Sequence, residues 1–371
     1  MPRFIFFLIF LGVSFLVIFG MNYFVYWQIK SVFHPSQRTL HFLRILLIIL
    51  NSTFILGIAS SRLFHWYLIF NFSFYWLGFI SGAFFLALTG WLVGLIFPGH
   101  RVVILWVFLL LSLLIFLFSA YRGSQNPVFK TLTIRHADIP PPSNFRIVHL
   151  SDLHLTPNPR TEKRLRSIVE RVNQAQPDLV VITGDILDEN ISTDHPIKEI
   201  LAGIQSRCGV YLVTGNHEFY NGLDRFTDFF SDPPFHILRN QARDISENIR
   251  LLGIDDPEIQ DPGEYLNSDH NIFRQLNPDR FNILLFHRPN LFQRFSRLGI
   301  DLQLSGHTHN GQMFPMELLV NLVYKHPWGL YRSGNSYLYT SCGTGMWGPK
   351  MRTFSRSEIV QILLKPLGDA P

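Results

Sequence analysis

The first 121 residues contain no aspartate and no glutamate. Only six basic residues stand among them: Arg3, Lys30, Arg38, Arg44, Arg62 and Arg101. All 27 acidic residues therefore follow Tyr121, beside the other 26 lysines and arginines (32 minus 6). The formal charge of +5 thus belongs to the first part, since the remainder is nearly neutral. That excludes a nucleic-acid-binding face as its origin and fits loops beside anionic lipid head groups. Cysteine is nearly absent too. Cys208 and Cys342 make no disulfide framework, and each is expected as a buried free thiol in or beside a strand. No internal repeat is present.

What the first part has instead is apolar length. Phe4–Trp27, Leu40–Ala59, Phe70–Phe97 and Val102–Tyr121 each meet the roughly 20 residues a bilayer-crossing helix needs. None carries the polar face of a helix buried in a soluble domain. Trp27, Tyr23, Trp66, Tyr67 and Tyr121 mark their edges, as interfacial belts do. The first stretch lacks a small-residue cleavage site and is followed by further spans, so it is expected to be retained. An even number of spans places both ends on one side, and the slight excess of Arg3, Arg62, Arg122, Lys130 and Arg135 there favours a cytoplasmic C-terminal domain. A linker, Arg122 to Asn144, ends in Pro140-Pro141-Pro142, a stiff, extended run. The expected organisation is a membrane region over 1–121, a linker over 122–144 and a domain over 145–371.

In that domain, short apolar strands alternate with helices. Strands are expected at Phe145–Leu150, Asp178–Thr183, Val210–Thr214, Arg250–Ile254, Asn282–Phe286, Asp301–Ser305, Ser336–Thr340 and Ile359–Leu364, and helices at Thr161–Gln174 and Pro196–Gln205. The class is α/β, with buried sheets flanked by helices.

Five of these strands run directly into metal-ligand chemistry: Asp152-x-His154, Gly184-Asp185, Gly215-Asn216-His217-Glu218, His287 and Gly306-His307-Thr308-His309. The carboxyl edge of such a sheet is where ligands bind. In Asp152-x-His154, alternate residues of an extended segment would point the same way. His307 and His309 would either share an ion likewise or be split by a turn between neighbouring ions. Carboxylate, imidazole and amide donors suit manganese, iron or zinc, and no cysteine joins them, which argues against a structural zinc site. One such element alone is usually a solvated loop, but five in order are not chance.

This series resembles the calcineurin-like metallophosphoesterases, over roughly Asn144 to Lys365. It is most similar to their bacterial membrane-associated branch, whose last motif usually has glycine where Asn310 stands, a residue that tolerates left-handed backbone. The resemblance implies two packed β-sheets flanked by helices and two metal ions. It assigns Asp152, His154, Asp185 and His309 to one ion and Asp185, Asn216, His287 and His307 to the other. It also implies hydroxide attack on phosphorus between the ions, with His217 protonating the leaving oxygen. Glu218 would orient His217 or cap the next turn.

Segment Met313–Lys325 follows the last motif. Phe314, Leu318, Leu322 and Val323 form either an apolar lip with Tyr324 and Trp328 that receives acyl chains or a helix packed on the domain core. Arg332, Lys350 and Arg352 are candidate phosphate partners. A four-span anchor points to membrane lipids and a lipid-linked phosphate as partners. The resemblance names UDP-2,3-diacylglucosamine hydrolysis, a step of lipid A synthesis, as one such reaction. A tethered phosphodiesterase for soluble substrates and a catalytically silent scaffold are the alternatives.

Overall fold

The computed structural model describes residues 2–64, 67–141, 144–257 and 271–368; Trp66, among the expected interfacial residues, and Pro142, of the proline run, lie outside them. The chain divides into two compact units.

The first comprises Met1–Gln125 with Gln312–Leu318 and Gly348–Phe354. Helices α1 (Pro2–Phe33), α2 (Gln37–Phe64), α3 (Tyr67–Ile96) and α4 (Arg101–Ser124) realise the four apolar stretches. All four are long and apolar enough to cross a membrane. Their outward residues are large and apolar, with Leu16, Ile48, Val103 and Leu110 exposed, a surface suited to lipid. Polar contacts turn inward: Asn22 Nδ2 donates to Asn51 Oδ1 across α1 and α2 at 3.2 Å, as membrane helices commonly pair. The two later segments pack within this unit. A Cβ on Gly123 of α4 would collide with the Lys350 carbonyl, the Ser119 and Thr353 hydroxyls are 2.8 Å apart, and Phe314 meets Phe85 edge-on at 5.2 Å.

The second unit is a sandwich of two six-stranded sheets. The strands are β1 (Val128–His136), β2 (Phe145–Leu150), β3 (Leu179–Thr183), β4 (Val210–Val213), β5 (Phe235–Ile237), β6 (Gln241–Ser246), β7 (Ile249–Ile254), β8 (Phe281–Phe286), β9 (Leu302–Ser305), β10 (Gly329–Ser333), β11 (Ser336–Thr340) and β12 (Glu358–Pro366). One sheet runs β1-β12-β2-β3-β4-β5 and the other β10-β11-β9-β8-β7-β6. β2 to β5 are parallel, as are β7, β8, β9 and β11. Alternation along β3 shows how both faces are covered. Leu179 and Val181 enter the core between the sheets, with Tyr211, Leu251, Ile283 and Ile362. Val180 and Ile182 face the helices α5 (Pro159–Gln174) and α6 (Pro196–Ala202) through Leu165, Ile168 and Ile197. Burying each such side chain stabilises the fold by roughly 1.5–3 kcal/mol.

The expected linker is not one. α4 continues to Ser124, and Val128–His136 forms β1, an edge strand in register with Glu358–Pro366 of β12. Its partner lies 230 residues later in the chain, and one face is half exposed, so Lys130, Thr131 and Arg135 give it a polar appearance. Cys208 and Cys342 are free thiols, the second buried.

Candidate metal centre

The parallel strands β2, β3, β4, β8 and β9 carry all seven expected ligands to one edge of the sandwich. Asp152, His154 and His309 form one group whose donor atoms are mutually close; Asp185, His287 and His307 form the next. Asp185 belongs to both neighbourhoods. Its Oδ2 lies 3.3 Å from His287 Nε2 and 3.9 Å from His154 Nε2. The turn at His309–Gly311 splits the last histidine pair: His307 Nδ1 is 3.1 Å from His287 Nε2, and His309 Nε2 is 3.0 Å from His154 Nε2.

The loops achieve this through left-handed backbone, not through extended alternation. Asp152 and His154 have φ of 52° and 46°, Asp185 51°, His307 73° and His309 49°. Such conformations cost roughly 1–3 kcal/mol each for residues with a Cβ and gather at functional sites. Asn310 shares the conformation at 51°, which asparagine tolerates better than most residues with a Cβ. Two glycines are dictated by closeness. A Cβ on Gly306 would strike Ser151 Oγ and Asp152 Oδ2, and one on Gly215 would strike Asp185 Oδ1.

Hydrogen bonds fix the tautomers. His287 Nδ1 is 2.7 Å from the Thr183 carbonyl, which only accepts, so the Nδ1 hydrogen stays there and Nε2 faces Asp185. His154 Nδ1 donates to Asp188 Oδ1 at 2.5 Å, again turning Nε2 inward. Metal-bound histidines are held by such partners. His307 Nδ1 faces inward because Nε2 is 3.1 Å from the Tyr324 hydroxyl. Asn216 Oδ1 is buried without a hydrogen-bond partner among the described residues. A buried acceptor left unpaired is costly, and a cation satisfies it. Oxygen and imidazole donors converging from two sides of one carboxylate fit two divalent ions.

Charge supports the same reading. Burial pushes Asp152 up. Burial also opposes ionisation of Asp185, but the His287 imidazole outweighs it and holds the carboxyl well below its usual range. Burial would depress His287, yet Asp185 beside it pushes it up to about 10. Protons thus stand in for cations in the metal-free cluster. His307 goes the other way, down to about 3, through burial and then the charges of His287 and Arg288.

His217 joins the site on the Asp185 side, with Nε2 at 4.0 Å from Asp185 Oδ2 and Nδ1 at 2.9 Å from Asp188 Oδ1. Burial opposes its protonation, but Asp188 and Asp185 push it up to about 9. Those carboxylates hold the proton on His217 more firmly than on a free imidazole, as a general acid requires. Glu218 does not orient it. The buried Glu218 carboxylate accepts from the N–H groups of Gly215, Asp185 and Ile186 at 2.7, 2.9 and 2.8 Å, capping the helix Asn216–Asn221 and pinning the Asp185 loop.

One expectation fails. Arg332 pairs with Tyr337, which in turn pairs with Leu302 at the start of β9, so it sits at the sheet edge opposite the ligands. Arg352 belongs to the helical unit, is fully buried, and donates its backbone N–H to the Ser119 carbonyl of α4. The cation the site does feel is Arg288, next to His287, which grips Asp256 with two bonds of 2.7 and 2.9 Å. Its position beside a ligand was the available signal. Asp188, three residues after Asp185, was likewise missed. The Met316–Val323 helix (called α10; α7 is Asn216–Asn221, α8 Leu223–Phe229 and α9 Phe292–Leu298) buries only Glu317. Leu318, Leu319, Leu322 and Val323 are exposed, so the packed-helix alternative does not hold. Trp328 is drawn into the domain, donating to Glu358 Oε1 at 3.1 Å.

Comparison with known proteins matches residues 145–311 to the calcineurin-like phosphoesterase family model. The chain is 36% identical over 260 residues to an uncharacterized metallophosphoesterase of Campylobacter jejuni, covering 69% of each chain. It is 30% identical over 240 residues to one of Aquifex aeolicus, covering 64% of this chain and 91% of that one. It is 33% identical over 271 residues to a transmembrane protein with metallophosphoesterase domain of Danio rerio, covering 69% of this chain and 62% of that one.

Proposed function

This chain belongs to the calcineurin-like metallophosphoesterase family and is a metal-dependent hydrolase of phosphoester bonds; from that premise we propose that its substrate is amphiphilic, a lipid-linked phosphate or pyrophosphate cleaved beside a membrane. The observation that carries the two-metal reading is Asp185, set between the imidazoles of His287 and His154. Asp152, His154, Asp185 and His309 would hold one ion, and Asp185, Asn216, His287 and His307 the other, with manganese the favoured metal and iron or zinc the substitutes. When bound, such a pair supplies neutralisation of phosphoryl charge and water activated near neutral pH.

The chain's own residues do the rest. Thr183 and Asp188 keep the ligand lone pairs of His287 and His154 turned inward. His217, protonated on both nitrogens and held by Asp188, delivers a proton to the leaving oxygen. Arg288 adds positive potential for an anionic substrate. Every ligand position is filled, which speaks against a silent scaffold.

The amphiphilic reading rests on α10 and on the four apolar helices. The same segment that ends in Tyr324, hydrogen-bonded to His307, exposes Leu322 and Val323 at 82% and 77%. Trp347, half exposed, faces His217 at 6.1 Å between rings. Apolar surface beside a phosphate-cleaving centre suits an acyl-bearing substrate. The four helices embed the chain in the bilayer, with the catalytic domain on the cytoplasmic side.

The test uses the full chain in detergent with manganese. UDP-2,3-diacylglucosamine and other lipid phosphates are compared with soluble aryl diesters and cyclic nucleotides. Preference for a lipid substrate, lost in Asp185→Ala and His217→Ala, is expected. Turnover of soluble diesters alone would sink the amphiphilic reading and favour the tethered soluble-substrate enzyme. A reporter fused at the C-terminus decides the side of the membrane.

A further inference from the structure

Three polar side chains stand in single file in the interior and end on a metal ligand. His149 of β2, Ser151 just after that strand and Thr183 at the end of β3 are all fully buried. Their neighbours Val148, Leu150, Val181 and Ile182 are buried and apolar. A core alone would be served by apolar residues at all three positions, since a buried polar group costs free energy unless it is hydrogen-bonded.

The file is continuous. His149 Nε2 is 2.8 Å from Thr183 Oγ1, Thr183 Oγ1 is 2.8 Å from Ser151 Oγ, and Ser151 Oγ is 2.5 Å from Asp152 Oδ2. Its direction follows from its last member. As a metal ligand, Asp152 is a carboxylate and only accepts. Ser151 has one hydroxyl hydrogen and donates it there, so its oxygen accepts from Thr183. Thr183 also has one, so its oxygen accepts the N–H at His149 Nε2. His149 is therefore neutral, with its lone pair on Nδ1, and burial pushes the ring down to about 3. That Nδ1 is buried with no hydrogen-bond partner among the described residues, a cost accepted for the one bond to Thr183.

At its other end the file selects an oxygen. The His307 N–H reaches both oxygens of Asp152, at 3.0 and 3.2 Å, so Ser151 is what tells them apart. It takes Oδ2, while Oδ1 faces His309 Nε2 at 3.5 Å. Aligned hydrogen bonds strengthen one another in a low-dielectric interior, and the last of these is charge-assisted. Thr183 has a second link, because its carbonyl accepts from His287 Nδ1 at 2.7 Å.

We propose that Thr183 is a positioning residue for both halves of the metal centre: its carbonyl orients His287, and its hydroxyl, held by His149 and relayed by Ser151, orients Asp152. This role rests on the two-ion reading above. The two links use different atoms, so the side chain can be changed while the carbonyl stays.

The test is calorimetric titration of manganese into the metal-free full chain in detergent. Wild type is expected to take up two equivalents. Thr183→Val keeps the branched shape and the carbonyl but has no hydroxyl. Its affinity for one equivalent should fall by about tenfold or more, while the other keeps the wild-type value. Thr183→Ser restores the hydroxyl and should restore the affinity. His149→Gln, whose amide keeps an N–H donor, should bind more tightly than His149→Leu. If Thr183→Val does not fold, Ser151→Ala makes the same cut one bond nearer to Asp152 and should show the same split. Two wild-type affinities in the variant that lacks the hydroxyl, or equal loss of both equivalents, overturn the proposal and leave the file as part of the core. A wild type that takes up fewer than two equivalents overturns the two-ion reading itself.

Discussion

Asp188 Oδ1 lies 2.5 Å from His154 Nδ1. The same oxygen is 2.9 Å from His217 Nδ1, so one carboxylate sets both a metal ligand and the acid. Asp188 itself is held down to about 2: burial would raise it, but the two imidazoles outweigh burial.

Asp188→Asn should therefore lower turnover and metal affinity together, each by about 10–100-fold, the usual effect of removing a ligand's outer partner. Because Asp188 raises His217, the variant's acid should lose its proton at lower pH. The alkaline limb of the pH–rate profile should move down accordingly. An unmoved limb with reduced turnover would mean that Asp188 acts on His154 alone.

Glu218 is a positioning residue whose removal should be felt in the fold as well as in catalysis. The N–H groups of Gly215, Asp185 and Ile186, and that of Leu187 at 3.5 Å, end on its carboxylate. Leaving a buried donor unpaired costs about 1–3 kcal/mol. Glu218→Ala should lower the denaturation midpoint and weaken metal binding. Glu218→Gln keeps one accepting oxygen and should fall between wild type and alanine in chemical denaturation. Equal loss in the two variants would show that charge, not acceptance, is what matters.

Metal uptake should release protons. His287 is pushed up to about 10 in the metal-free cluster, so it is protonated at neutral pH, and an ion must displace that proton to reach Nε2. One displaced proton makes the apparent affinity rise about tenfold per pH unit below the His287 value. The sign is definite: tighter binding as pH rises, weaker as it falls. Calorimetric titration in buffers of different ionisation enthalpy reads the proton count. Pale dependence on pH, with no proton released, would contradict the Asp185–His287 pairing.

The strands legible in the sequence were β2, β3, β4, β7, β8, β9, β11 and β12, which are the eight interior strands of the two sheets. The four missed, β1, β5, β6 and β10, are the four edges. The reason is physical. An interior strand covered on both faces is buried along its length and so mostly apolar, as Leu179–Thr183 is, and so declares itself. An edge strand such as Gln241–Ser246 is half exposed throughout and looks like loop. The ligands were legible because each stands at the end of an interior strand. Their supports were less so, since what Asp188 or Glu218 touches depends on strands brought together from distant parts of the chain. The left-handed backbone at Asp152 and His154 has no signature in residues that are not glycine or asparagine.

The tip of α10 separates substrate recognition from catalysis. Leu322 and Val323 are 82% and 77% exposed, so Leu322→Asp and Val323→Asp remove no core packing, and stability should change by less than about 0.5 kcal/mol. A charge there meets the acyl portion of an amphiphilic substrate and must be desolvated to admit it. KM for a lipid phosphate should therefore rise at least tenfold, while turnover of a soluble aryl diester stays at the wild-type value. Tyr324→Phe is the complementary variant. It deletes the acceptor for the Nε2 hydrogen of His307, so it should weaken metal binding and slow both substrates alike. If the α10 aspartates slow the soluble diester as much as the lipid, the helix is part of the catalytic frame and not a lip for acyl chains.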